Sequence, residues 1–116
     1  MFSELEEIER AGTLFESHHK HGKIVSRIWG AQNVGAGTIV LLHGSFGAWS
    51  HWAKNFSKLA HSRKVVAIDL PGMGDSDQPP DPISASAMGK LIAESIEQIH
   101  SPSESFQLVG FSFGGI

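Results

Sequence analysis

The sequence predicts an α/β fold: a mostly parallel sheet with flanking helices. Three observations carry this reading. Short apolar runs alternate with stretches of helical spacing. Two of the runs are apolar on consecutive residues, without the alternation of a half-exposed strand. Each of the last three runs ends in a glycine-rich loop. Strands that alternate with helices imply right-handed crossovers and parallel pairing. A strand apolar on both faces belongs inside such a sheet, covered on both sides.

The elements follow in order. Residues 1–12 are expected to form an N-terminal helix or tail, whose acids (Glu4, Glu6, Glu7, Glu9) suit a solvated face. Residues 13–116 are expected to belong to a single domain. Leu14 to His19 and Ile24 to Trp29 are rich in apolar and β-branched residues, and Lys20-His21-Gly22 between them suits a turn, so they predict a hairpin. Thr38-Ile39-Val40-Leu41-Leu42 is the first continuous apolar strand. Trp52, Phe56, Leu59 and Ala60 recur at i, i+4, i+7 and i+8, one helix face. Lys64-Val65-Val66-Ala67-Ile68 is the second continuous strand. Met88, Leu91, Ile92, Ser95, Ile96 and Ile99 give a second helix face, over residues 84–100. Phe106-Gln107-Leu108-Val109 is a third strand, which runs straight into Gly110.

Composition limits the function classes. Hydrophobic residues make up 41% of the 116 and charged residues 18%, a balance that buries a core. The net charge of −3, with no cluster of Lys and Arg, argues against a nucleic-acid surface. No cysteine is present, so no disulfide, thiol nucleophile or thiolate metal site lies in these residues. No apolar run approaches the roughly 20 residues that cross a bilayer, and the start lacks the basic and apolar regions of a signal peptide. The expectation is a soluble cytoplasmic protein with no membrane partner and no cofactor, acting on a small molecule.

In a parallel sheet, ligands bind beyond the carboxyl ends of the strands. Three loops leave those ends: His43-Gly44-Ser45-Phe46-Gly47, Asp69-Leu70-Pro71-Gly72-Met73-Gly74-Asp75-Ser76, and Gly110-Phe111-Ser112-Phe113-Gly114-Gly115. The last fits a nucleophile elbow, Gly-x-Ser-x-Gly between a strand and a helix. Small residues two before and two after the serine let strand and helix approach, and the sharp turn lifts Oγ to where a base can reach it. An acyl-transfer transition state also needs two backbone N–H groups aimed at the developing oxyanion, each worth about 3–4 kcal/mol. The residue after the nucleophile and the first of the three loops are positioned to supply them.

With these motifs in this order and at these separations, the chain resembles the N-terminal half of the α/β-hydrolase fold family, over roughly residues 13–116. The resemblance implies the front part of that fold: a hairpin, then β-α-β-α-β through the elbow, without the cap and the C-terminal strands. It implies Ser112 as nucleophile and the backbone N–H groups of Ser45 and Phe113 as the oxyanion hole. Phe46 is a second-choice donor and a wall of the acyl pocket. Dehalogenases and epoxide hydrolases of this fold carry Asp at the elbow. Ser112 points instead to hydrolysis of an ester, amide, thioester or C–C bond, or to a related perhydrolase or acyl-transfer reaction.

The remaining candidates have plainer readings. His43, Asp69 and Asp75 precede Ser112, whereas this fold orders its triad Ser, acid, His, so they read as loop scaffold. His18, His19 and His21 read as surface histidines, with no metal site. Trp29, Trp49 and Trp52 read as core and rim packing. Asp77 stands where a dinucleotide fingerprint beginning at Gly72 would need glycine. Neither a triad acid nor a base follows Ser112 among residues 113–116. The 116 residues alone are therefore expected to be poorly soluble or partly folded, with little triad-dependent turnover. The alternative is a non-catalytic truncated or degenerate chain that binds a partner.

Overall fold

In a computed structural model of the chain, the structure describes residues 3–19, 22–33, 37–44, 47–78, 84–99 and 106–110. The elements are α1 (Glu4–Ala11), β1 (Thr13–His19), β2 (Gly22–Trp29), β3 (Thr38–Leu42), a 3₁₀ turn (Trp49–Asn55), α2 (Phe56–Ala60), β4 (Lys64–Ile68), α3 (Ala85–Ile99) and β5 (Phe106–Gly110). The five strands form one sheet in the order β1-β2-β4-β3-β5. β1 and β2 are the expected antiparallel hairpin, and β2 also pairs antiparallel with β4. β4, β3 and β5 are parallel.

Ser3 starts α1. Its Oγ accepts from the Glu6 N–H at 3.2 Å and lies 3.0 Å from the Glu6 carboxylate, so one side chain satisfies an orphan helix donor. The helix predicted around Trp52 is tighter at its start than a 3.6-residue period implies. It is 3₁₀ through Asn55 and α only from Phe56, a common arrangement at helix N-termini.

Alternate residues of β3 and β4 divide between two cores. Val40, Leu42, Val66 and Ile68 pack with Ile24, Leu70 and Ile96 beneath α3, together with Ile92 and Ile99. Ile39, Leu41, Val65 and Ala67 pack with Trp29 and Trp49 on the other face, under Ile8 of α1, the 3₁₀ turn and α2. Both faces are thus covered, which is why these strands carry no polar alternation. Trp29 and Trp49 fill the second core, their ring centroids 5.8 Å apart, and Trp29 Nε1–H donates to the Ile8 carbonyl at 2.8 Å.

β5 differs from β3 and β4. It pairs with β3 at the edge of the sheet and is exposed along its length, with Leu108 at 56%. Its sequence reads as a buried strand, but among the described residues no helix packs closely on it.

The histidines need one correction. His18 is exposed, but His19 is not a surface residue: its side chain is 3% exposed. The period of β1 puts Ser17 and His19 on the face that meets α3, where His19 lies 3.0 Å from Ser17 Oγ, 3.1 Å from Ser95 Oγ and 3.0 Å from the Glu94 carboxylate. No group of three or more metal-ligating side chains forms among the described residues, and His21 lies outside them.

Ile68 has no exposed surface and joins the α3 core to the end of β4. Ile68→Ala is expected to destabilise the fold by about 2–5 kcal/mol, read as a lowered urea midpoint at unchanged slope.

Candidate active site at the carboxyl rim

Sheet register decides where the three loops begin. Leu42 pairs with Ile68 on one side and with Gly110 on the other. The last residues of the three parallel strands therefore form one row, neighbours separated by about 4.8 Å. The strand ends that lead in sequence to His43, Asp69 and Phe111 lie side by side.

Ser112, Phe113, Ser45 and Phe46 lie outside the described residues. What the structure gives is the anchors on either side of Ser45 and Phe46, and the strand end at Gly110 before Ser112. His43 is fully buried. Its Nε2 accepts the Leu70 N–H at 3.0 Å, and its Nδ1 lies 2.6 Å from the Gly44 carbonyl, which accepts only if that nitrogen carries the proton. Both ring nitrogens are thus committed to backbone, and the ring has no lone pair left for a nucleophile. This is the loop scaffold expected of His43. Gly47 N–H donates to the Gly44 carbonyl at 3.1 Å, closing the turn from its two ends.

Asp69 holds the other side. It has no exposed surface, and its Oδ1 accepts the Trp49 N–H at 2.8 Å. Its Oδ2 accepts the Asp75 N–H at 3.0 Å and one Arg27 nitrogen at 3.3 Å. A second Arg27 nitrogen reaches Asp75 at 2.6 Å and Glu9 at 3.2 Å. The guanidinium lies 5.1 Å from the centre of the Trp49 ring. A buried carboxylate is tolerated only when paired and hydrogen-bonded, and Asp69 has both.

The loop after β4 is also bonded along the edge of β2. Asp69 N–H donates to Val25 O at 2.9 Å and Asp77 N–H to Lys23 O at 2.9 Å, while Ser76 Oγ accepts Val25 N–H at 2.8 Å. Ser76 Oγ also donates to the Asp69 carbonyl at 2.6 Å. Gly74 is required where it stands. Its φ is +54°, and a Cβ there would lie 2.5 Å from the Asp69 carboxyl carbon.

The matches with known proteins agree with this layout. The model of the alpha/beta hydrolase family matches residues 39–116. The chain belongs to the alpha/beta hydrolase family. Among its relatives is the 2-hydroxymuconate semialdehyde hydrolase of Pseudomonas sp. strain CF600, 38% identical over 91 residues, covering 70% of this chain and 30% of that protein. The soluble epoxide hydrolase of Corynebacterium sp. strain C12 is 31% identical over 77 residues, covering 66% and 26%. The acetyltransferase component of the acetoin cleaving system of Cupriavidus necator is 33% identical over 81 residues, covering 70% and 21%. The chain thus spans less than a third of the length of these relatives. Of solved structures, Cfl2 from Burkholderia cenocepacia superposes with a TM-score of 0.80 at 26% identity, over 90% of this chain and 34% of Cfl2. The thioesterase domain of the curacin biosynthetic pathway shares the fold, with a TM-score of 0.78 at 24% identity over 90% of this chain and 36% of that domain.

Sequence reasoning missed Arg27. The available signal was a charged residue two positions from Val25 and from Trp29, on one face of a strand otherwise reading as core. No helix of the described residues is long and apolar enough to cross a membrane.

Gly74→Ala is expected to destabilise by at least about 1–3 kcal/mol through the backbone angle, with the carboxylate contact added, measured by thermal or urea unfolding. His43→Phe keeps a ring but leaves the Leu70 N–H buried and unpaired, at a cost of about 1–3 kcal/mol on the same measurement.

Proposed function

We propose that the protein carrying this chain is a serine hydrolase that forms an acyl-enzyme on Ser112. One observation carries the reading: the Gly-Phe-Ser-Phe-Gly elbow follows β5 directly, and Gly110 is the register partner of Leu42, the residue before His43. The elbow and the first loop therefore start as neighbours at the rim. A nucleophile and its oxyanion donors must converge on one carbonyl. In this reading Ser112 Oγ attacks, the N–H groups of Ser45 and Phe113 stabilise the oxyanion, and Phe46 walls the acyl pocket. The base and the acid that orients it follow Ser112 in sequence, as the triad order of this fold requires. The base takes the serine proton and returns it to the leaving group, and water then releases the acyl product.

Ser112 separates this chain from an epoxide-opening reading, which needs a carboxylate at the elbow. The family supports hydrolysis in general. The scissile bond is best kept as a class: an ester, amide, thioester or C–C bond next to a carbonyl. The names of the semialdehyde hydrolase relative and of the thioesterase neighbour fit that class.

A fluorophosphonate probe tests the reading on the full-length protein. Stoichiometric labelling at Ser112 and turnover of a p-nitrophenyl ester are expected. Ser112→Ala should abolish labelling and lower kcat by about 10⁴-fold or more. Turnover that survives Ser112→Ala would remove the proposal.

A further inference from the structure

Both flanks of the loop from His43 to Trp49 are held by consecutive residues of another strand's exit. Leu70 N–H holds His43 at 3.0 Å, and the Asp69 carboxylate holds Trp49 N–H at 2.8 Å. The first bond involves only backbone and an imidazole whose two nitrogens are both committed. The second depends on how the Asp69 carboxylate is turned. Oδ1 faces Trp49 only while Oδ2 is kept toward Asp75 N–H and Arg27. Arg27 also contacts the loop directly, its guanidinium 5.1 Å from the Trp49 ring centre. It reaches both groups from β2, on the far side of β4, with its own side chain 7% exposed.

We infer that Arg27 is a positioning residue for the reaction, setting the oxyanion loop through Asp69 and Trp49. The inference rests on the serine-hydrolase reading, which puts one oxyanion donor at Ser45 between these two anchors. Arg27 touches neither substrate nor the reacting atoms. Its planar fork can bond Asp69 and Asp75 from different nitrogens while its face covers an indole, a combination a lysine cannot reproduce. An oxyanion donor acts only when aimed at the place where charge develops. A misplacement of about 1 Å lowers the rate by about 100-fold.

The test uses full-length protein and three substitutions: Arg27→Met, Arg27→Lys and Asp75→Asn. Turnover of a p-nitrophenyl ester is normalised to sites titrated by a fluorophosphonate, and affinity is measured for a boronic acid that forms a tetrahedral adduct on the serine. Arg27→Met should lower kcat by about 10- to 100-fold, with KM changed by less than about threefold. Boronate affinity should fall by the same factor as kcat. Arg27→Lys should restore only part of each. Asp75→Asn trims an arm of the cluster that is 64% exposed, so it should fold even where Arg27→Met does not. It should lower kcat and boronate affinity together by about two- to fivefold.

Losses that vanish on normalisation to titrated sites would reduce Arg27 to a structural residue and overturn the inference. So would an unchanged kcat in Asp75→Asn when Arg27→Met does not fold. Wild-type turnover that is independent of Ser112 would instead overturn the serine-hydrolase reading, and this inference with it.

Discussion

The Asp69 carboxylate sits where strand β4 ends, without contact with water, and the geometry of the rim follows from how its charge is met. An unpaired carboxylate at such a depth would cost several kcal/mol. Two backbone N–H groups and the Arg27 guanidinium meet it, and each comes from a different part of the chain. Trp49 brings the segment after β3. Asp75 brings the far end of the loop after β4, folded back through Gly74. Arg27 brings β2, and with it Glu9 of α1. Removing one partner of a buried pair typically costs 3–5 kcal/mol, because the other charge stays buried. The tie is therefore a constraint on several elements more than a net source of stability.

That constraint works together with the sheet register. Pairing of Leu42 with both Ile68 and Gly110 sets three strand ends at one height, but register alone does not fix where a loop points. The side chains do that. His43 spends both ring nitrogens on backbone, Asp69 spends both oxygens, and Ser76 joins β2 to the Asp69 carbonyl. His43, Asp69 and Ser76 are each bonded to backbone, so they hold the ends of the described loops in place. Anchoring of this kind suits preorganised donors under the proposed function, since donors that must be ordered during a reaction lose part of their effect.

Much of this was legible in the sequence, for physical reasons. Thr38–Leu42 and Lys64–Ile68 read to the residue, because a strand buried on both faces is apolar at consecutive positions, and His43 and Asp69 are the first polar residues after each apolar run. The helix beneath the first core read almost as well, since Ile92, Ile96 and Ile99 keep its period. The 3₁₀ start before α2 did not, because Trp49 and Trp52, three positions apart, suit a turn of either helix period. His19 was misread because the residue opposite it, Ser95, lies 76 positions away on α3. The scaffold role of His43 and Asp69 could be inferred from their order relative to Ser112. Arg27 could not, since its partners lie 18, 42 and 48 positions away and only the fold assembles them.

The division of labour at the rim follows from this contrast. In the proposed reading, residues with chemistry to perform sit in short local motifs, where spacing along the chain exposes them to inspection. Residues that aim those motifs lie at distant positions and have a different requirement, which is to be buried and fully hydrogen-bonded. A strand-borne arginine on a core face satisfies it only if a carboxylate arrives from elsewhere, and a carboxylate at the end of an apolar strand satisfies it only if a cation does. Arg27 and Asp69 each lack a local explanation and supply one to each other. In this chain the unexplained charge in β2 is met by a second at the mouth of the loop after β4. Under the proposed function, an oxyanion donor belongs to the loop that this pair anchors at Trp49, and the pair itself acts only through that anchor.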